Sequence, residues 1–378
     1  APFIDLYGLL LLGAWLLGWT FKNLNIEVFK KLPHFKSYLL FWLSAVGSLF
    51  MAPSRFLGSS AKYFLRPFSF FYPVFFAVPV SILSRVKLLD HVLLVFYATG
   101  LLSAFNGLIG LLFGAQGEFP RATPFGFFGV NPLGSNHNLL AETLIATAPA
   151  GLVLGIMNYE LGIRKLIRYG MFFQWTIALL TFARTAWIVI GIQALVYLWC
   201  TYRGRFKEIW PRIKIVLLLL LIPLAFLAFT TLTETVRGST LSRLDQTRIS
   251  LFYFLRSPYL GQGIGTFIPT LWQTRAFLLE YGDPLEAHGV ALKLAFEQGL
   301  AGLITFAIFV GSIFVSLIKA YKKTVRIELL AALMIAAGAI TYQLFNTTYY
   351  TSKLWIPLAI AVAIAQLSKS SKSSESGN

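Results

Sequence analysis

Apolar runs of about the length that crosses a bilayer recur from one end of this 378-residue chain to the other, at residues 3–21, 37–52, 67–83, 88–113, 139–157, 169–183, 185–201, 213–232, 289–318, 327–345 and 354–367. A transmembrane helix needs roughly 20 such residues, with a range of about 17–25. Hydrophobic residues make up 57% of the chain and charged residues 12%, which leaves too little polar surface to cover a soluble globule of this size. The pattern predicts an all-α integral membrane protein, a polytopic bundle of about 11 transmembrane helices. It becomes about 12 if a further helix precedes Ala1, and the absence of an initial Met leaves room for one. The opening APFIDLYGLL lacks the basic n-region of a cleavable signal.

Orientation follows from the placement of Lys and Arg, which cytoplasmic loops retain. With the C-terminus inside, segments 22–36, 84–87, 158–168, 202–214, 319–326 and 368–378 hold most of the 32 basic residues. The one long loop, 233–288, then faces outward and is expected to contain short helices. Every basic residue of the outward segments except Lys62 and Lys353 is Arg, and guanidinium is the better fork for phosphate oxygens. The net charge of +17 therefore points to anionic membrane lipids and phosphate groups as contacts, and not to nucleic acid. A lone cysteine, Cys200, allows no disulfide within the chain. Residues 1–367 read as a single transmembrane catalytic domain, and SKSSKSSESGN, 368–378, as a disordered cytoplasmic tail.

Several outward residues invite a chemical reading. The segment STLSRLDQTRISLFYFLRSP carries a helix signature, with Ser242 and Asp245 as a capping box and Pro258 at its end. At helical spacing Leu241, Leu244, Leu251, Phe252 and Leu255 share an arc with Arg248 in its middle, while Arg243 and Arg256 project away and read as solvated. A charge in an apolar face is costly unless an anion meets it, and that anion is either a ligand or one of Glu234, Asp245 and Glu280. In LLTFARTAWIVIGIQALVYLW, Arg184 stands at an outer turn between two spans, placed either to grip an anion or to snorkel to headgroups. In DPLEAHGVALK, Asp283, Pro284 and Glu286 fit an N-cap, the first helical position and the third. His288 then falls in the second turn, where the helix dipole favours a neutral imidazole. It is either a proton acceptor or a buried histidine bonded to a carbonyl.

The segment NPLGSNHNLLAETL brings Asn136, His137, Asn138 and Glu142 to the start of a span. These side chains suit sugar hydroxyls, and equally suit capping a helix. GQGIGTF, 261–267, has no strand before it and no Lys after it, so it is neither a Rossmann turn nor a P-loop. The backbone N–H groups at Gly263 and Gly265 remain candidates to approach a phosphate. There is no D-x-D pair and the four His are scattered, so no metal site is indicated.

Taken in order, TFARTAW, then TRISLFYFLRSPYLGQGIGTF, then AHGVALKLAFEQGLAGLI resembles the superfamily of O-antigen ligases and O-antigen polymerases, and is most like the ligases. The resemblance covers roughly residues 125–320 and departs from the usual pattern at Gly289, where Asn commonly follows the histidine. It implies a multi-span glycosyltransferase of the bacterial inner membrane with a large periplasmic loop and a periplasmic active site. Such an enzyme would transfer a glycan from undecaprenyl diphosphate to a sugar hydroxyl of the lipid A core, without metal, nucleotide or other cofactor. Carried over, Arg184 and Arg248 would clamp the diphosphate, and His288 would take the acceptor proton as general base, with inversion at the anomeric carbon. A polymerase that lengthens the lipid-linked glycan would need the same machinery. A transporter of the lipid-linked polysaccharide would instead place ionisable groups or broken helices near mid-span.

Overall fold

The computed structural model describes residues 8–10, 12–13, 32–83, 89–114, 120–126, 136–155, 161–202, 210–211, 213–215, 218, 234–282, 286–346 and 351–375. Its principal helices are α1 (Phe35–Leu49), α2 (Ser54–Leu83), α3 (Leu89–Phe113), α4 (His137–Thr147), α5 (Ala150–Leu154), α6 (Leu161–Leu180) and α7 (Arg184–Thr201). They continue with α8 (Glu234–Arg256), α9 (Phe267–Trp272), α10 (Arg275–Tyr281), α11 (Val290–Thr324), α12 (Ile327–Phe345) and α13 (Ser352–Glu375). No strand occurs among the described residues. Of these helices α2, α3, α7, α11 and α12 are long and apolar enough to cross a membrane, and Ser352–Ser368 is a shorter apolar stretch. The chain is an all-α, multi-pass membrane protein.

The runs expected at 3–21 and 213–232 lie largely outside the described residues. The run at 139–157 is divided between α4 and α5, with Pro149, which has no N–H to donate, at the junction. The segment read as a tail from 368 continues α13 as far as Glu375.

One compact unit comprises residues 1–81, 227–315 and 343–359. Aromatic packing forms its centre. Tyr38 of α1 stacks on Tyr72 of α2 at 3.8 Å between ring centroids, and Phe309 and Trp355 present their edges to Tyr38 at 5.6 and 6.0 Å. The Tyr72 hydroxyl donates to the Pro33 carbonyl at 2.7 Å. Helix α2 carries Pro67 inside it and Pro73 near the start of its next segment, and between residues 64 and 77 it widens to π-helical turns, as helices do where proline interrupts the regular ladder.

Helix α11 is broken at Gly299, whose φ of 61° and ψ of −152° leave the helical region. The break exposes carbonyls on one side and N–H groups on the other, and buried backbone groups need partners. Segment 258–263 supplies them. Leu300 N–H donates to the Pro258 carbonyl at 2.8 Å and Ala301 N–H to Tyr259 at 3.0 Å, while Gln262 N–H reaches the Phe296 carbonyl at 2.9 Å and Gly263 N–H that of Glu297 at 3.1 Å. A Cβ at Gly299 would lie 2.5 Å from the Pro258 carbonyl oxygen, so the close approach and the left-handed backbone both demand glycine.

The other unit comprises residues 82–226, 316–342 and 360–378. Its core joins Ala104 of α3, Leu140, Ala141, Leu144 and Ile145 of α4, Ile177 and Ala178 of α6, and Ala186 and Val189 of α7. Polar side chains cross-link these helices. The Gln193 amide donates to the carbonyls of Ile145 at 2.8 Å and Met334 at 3.1 Å. Gln174 Oε1 accepts from the Thr147 hydroxyl at 2.8 Å. Between apolar helices such bonds contribute about 0.6–2 kcal/mol each.

Candidate active site

Helix α8 begins at Glu234, not at Ser242, so Ser242 and Asp245 lie inside the helix and form no capping box. Asp245 instead accepts from Arg248 Nη1 at 3.1 Å and from the Tyr281 hydroxyl at 2.8 Å. That second bond holds the phenolic proton and, with burial and the neighbouring Glu280, raises the Tyr281 pKa above its ordinary value. Arg248 is exposed, with 71% of its side chain accessible, and Leu241, Leu244, Leu251, Phe252 and Leu255 are exposed with it.

The inward face of α8 carries buried Gln246 and Ser250. Ile249 and Tyr253 pack on the cluster of Phe267, Leu271, Phe277, Ala287 and Phe296. Half-buried Arg243 stands three and seven residues before Gln246 and Ser250, spacings that place all three on one helical face. The sequence reading had these two arginines reversed. Its rule, that the apolar stripe of a helix turns inward, holds for a helix surrounded by water; in a membrane protein apolar residues are also at home on the outside, and polar ones gather within.

The expected N-terminal turn of α11 also differs. The helix starts at Val290, so Glu286 and His288 belong to the turn before it, while Asp283, Pro284 and Leu285 lie outside the described residues. Gly289 N–H donates to the Ala287 carbonyl at 3.0 Å. Gly289 has φ 113°, and a Cβ there would lie 2.5 Å from the Leu344 carbonyl oxygen, which explains glycine after the histidine in this chain. Glu286 accepts from the Lys293 ammonium and does not reach back as a capping residue.

His288 is half-buried, and its pKa is lowered to about 4, first by burial and then by the positive charge of Arg243. The ring is therefore neutral at pH 7 and has a free lone pair for a proton. A basic guanidinium beside a neutral imidazole is an arrangement that can hold an anion and accept a proton at adjacent points.

The glycine turn of residues 261–265 serves the fold. Gly263 N–H is committed to the Glu297 carbonyl, and Glu297 Oε1 accepts from Phe267 N–H at 3.3 Å and also from Gly265. Sequence reasoning gave no role to Lys293 and Glu297, which are fully buried on the first turns of α11. Two charges four residues apart in an otherwise apolar run were the available signal.

In the other unit, Arg184 is the first residue of α7. The turn before it is closed by the Thr181 hydroxyl, which accepts from Ala183 N–H at 3.2 Å, and by Trp187, whose indole donates to the Leu179 carbonyl at 3.2 Å. A guanidinium added to the free N–H groups of a helix start makes an end that attracts anions. Asn136 caps α4, its side chain accepting from Asn138 N–H at 2.8 Å. His137 opens that helix, and the Asn138 carbonyl accepts from the Tyr342 hydroxyl. Glu142 is buried one turn further on, and its neighbour Ala141 packs with Ala183, Ala186 and Tyr342. The starts of α4 and α7 thus share one cluster. Among the described residues no group of three or more His, Cys, Asp or Glu is arranged to hold a metal ion.

No curated protein matches the chain. Residues 169–307, a stretch that holds Arg184, helix α8, the glycine turn and His288, match the protein family described as O-antigen ligase. Residues 169–307 therefore form an O-antigen ligase family domain, the family that the sequence resembles.

Proposed function

We propose that this protein is a glycosyltransferase that moves a glycan from undecaprenyl diphosphate to a sugar hydroxyl of the lipid A core, on the periplasmic face of the bacterial inner membrane. The observation that carries this reading is the neutral imidazole of His288 beside the charge of Arg243, within a segment matching the O-antigen ligase family. The acceptor hydroxyl gives its proton to His288 as its oxygen attacks the anomeric carbon. The bond from that carbon to the diphosphate oxygen breaks, and the electron pair leaves with the diphosphate. Arg243 holds the developing negative charge, and Arg184, at the start of α7, is a further anion-binding group in its own unit. Direct displacement inverts the anomeric configuration, and the diphosphate is already an activated leaving group, so no nucleotide or metal is required.

The exposed Arg248, partnered by Asp245, takes a peripheral place and meets phosphate groups at the membrane surface. Asn138 and His137, at the start of α4, offer polar groups to sugar hydroxyls, and Asn136 holds the start of that helix. A polymerase that extends the lipid-linked glycan uses the same chemistry, and the same family match favours it equally. Purified protein, lipid-linked glycan and lipid A core incubated with and without a chelator separate these outcomes. Glycan on the core supports a ligase, and a lengthened lipid-linked chain supports a polymerase. No transfer of either kind overturns the transferase, and transfer abolished only by the chelator overturns independence from metal.

A further inference from the structure

Lys293 occupies an unfavourable place on three counts. Its side chain is 1% exposed, it lies in an apolar stretch, and it stands in the first turn of α11, where the helix dipole opposes a cation. A buried ammonium persists only where partners offset its desolvation. Here they come from three segments. Glu286, two residues before His288, accepts from the ammonium; Glu297 Oε1 stands 3.8 Å away; and the Tyr63 ring of α2 lies beneath it, 4.4 Å from Nζ to the ring centroid. Glu297 in turn receives N–H groups from the glycine turn.

We infer that Lys293 is a positioning residue for His288: by binding Glu286 it fixes the 286–289 turn against α11 and the glycine turn, and so aims the imidazole. The turn is anchored at its middle by Ala287, buried against Phe267, Leu271, Phe277 and Phe296, and Lys293 adds the hold on its acidic end. The turn lies outside the helix, and among the backbone bonds Gly289 to Ala287 is local to it. Lys293 N–H donates to the Gly289 carbonyl at 3.3 Å, so the same residue grips the turn by main chain and by side chain. This inference rests on the transferase reading for its kinetic consequence, but the aim of the ring is measurable without it.

Glu286→Gln is the informative variant, because Glu286 is 21% exposed and Lys293 keeps Glu297 and the Tyr63 ring as partners. Lys293→Met leaves two carboxylates buried together and risks the fold, so it is read together with Glu286→Gln in a double variant. The probe is diethylpyrocarbonate, with the modified peptide of His288 quantified by mass spectrometry and that of His137 as internal control. In Glu286→Gln the modification rate at His288 rises several-fold, with His137 unchanged. Transfer shows kcat reduced by about tenfold or more, with KM for the lipid carrier unchanged. The double variant is no slower than Glu286→Gln alone, since one contact has been removed from both ends. An unchanged modification rate at His288, or losses that multiply in the double variant, overturns the inference. A several-fold reactivity difference between Glu286→Gln and wild type, with no glycan transferred by the wild type, sinks the transferase and leaves the positioning intact.

Discussion

His288 and its neighbours carry the most direct tests. His288→Ala loses only a proton acceptor, so insertion and folding persist while transfer falls by about 10²- to 10⁴-fold, measured as glycan transferred per unit of purified protein. The depressed pKa of about 4 puts the acid limb of kcat/KM near pH 4, with a plateau from about pH 5 to 7. An acid limb near 6.5, the ordinary value for histidine, would falsify the assignment of the base. Arg243→Gln removes the positive charge that repels the proton, so the same limb moves to higher pH. The two arginines of α8 also separate. Arg243→Lys loses the fork that grips a diphosphate and transfer falls by about tenfold or more, whereas Arg248→Lys, exposed and paired only at its surface, changes transfer by less than about threefold. Equal losses in both would restore the choice made from sequence. Spacing and composition alone single out His288 and Arg184 as candidates, because a lone titratable residue at the mouth of an apolar run is visible in one dimension. They choose Arg248 over Arg243 and have the exposure of the two reversed, since that depends on whether lipid or protein faces the apolar stripe.

At the scale of elements, the break in α11 is the feature that ties the segment after α8 to a span. Gly299→Ala forces a Cβ against the Pro258 carbonyl and an L-residue into a left-handed conformation, a strain of about 1–3 kcal/mol. The expected result is a lower midpoint of thermal inactivation in detergent, with Gly311→Ala, which meets nothing within 4 Å, as the unaffected control. A midpoint shared by both variants would mean that the insertion of segment 258–263 contributes nothing to stability. The sequence displayed the glycines of this turn plainly, and their resemblance to a phosphate loop was discounted for want of a strand and a lysine. Their actual partners, carbonyls some 35 residues later in the chain, cannot be read from local pattern. The end of α8 before Pro258 was legible from proline's missing N–H. Its start was not, because Ser242 and Asp245 make a capping signature that an earlier helix start overrode.

For the whole molecule, hydropathy established the class, and α2, α3, α7, α11 and α12 bear out spans that composition had placed. The bias of Lys and Arg makes a further prediction about sidedness. In a Cys200→Ser background, a cysteine placed at Arg275 reacts with a membrane-impermeant maleimide in intact spheroplasts, and one at Lys165 reacts only after lysis. The opposite pattern would turn the loop of residues 233–288 to the cytoplasm and end the periplasmic reading.

The interruption at Gly299 also bears on where the hydrocarbon begins. Residues 300–324, about 25 of them at about 1.5 Å each, suffice by themselves to traverse a core about 30 Å thick. The nine or so residues from Val290 to Gln298 are then free to stand at headgroup depth as a pedestal about 13 Å tall. Lys293 and Glu297 then need never enter the oil, since a span that begins at Leu300 is long enough to start some two and a half turns later than the apolar run does.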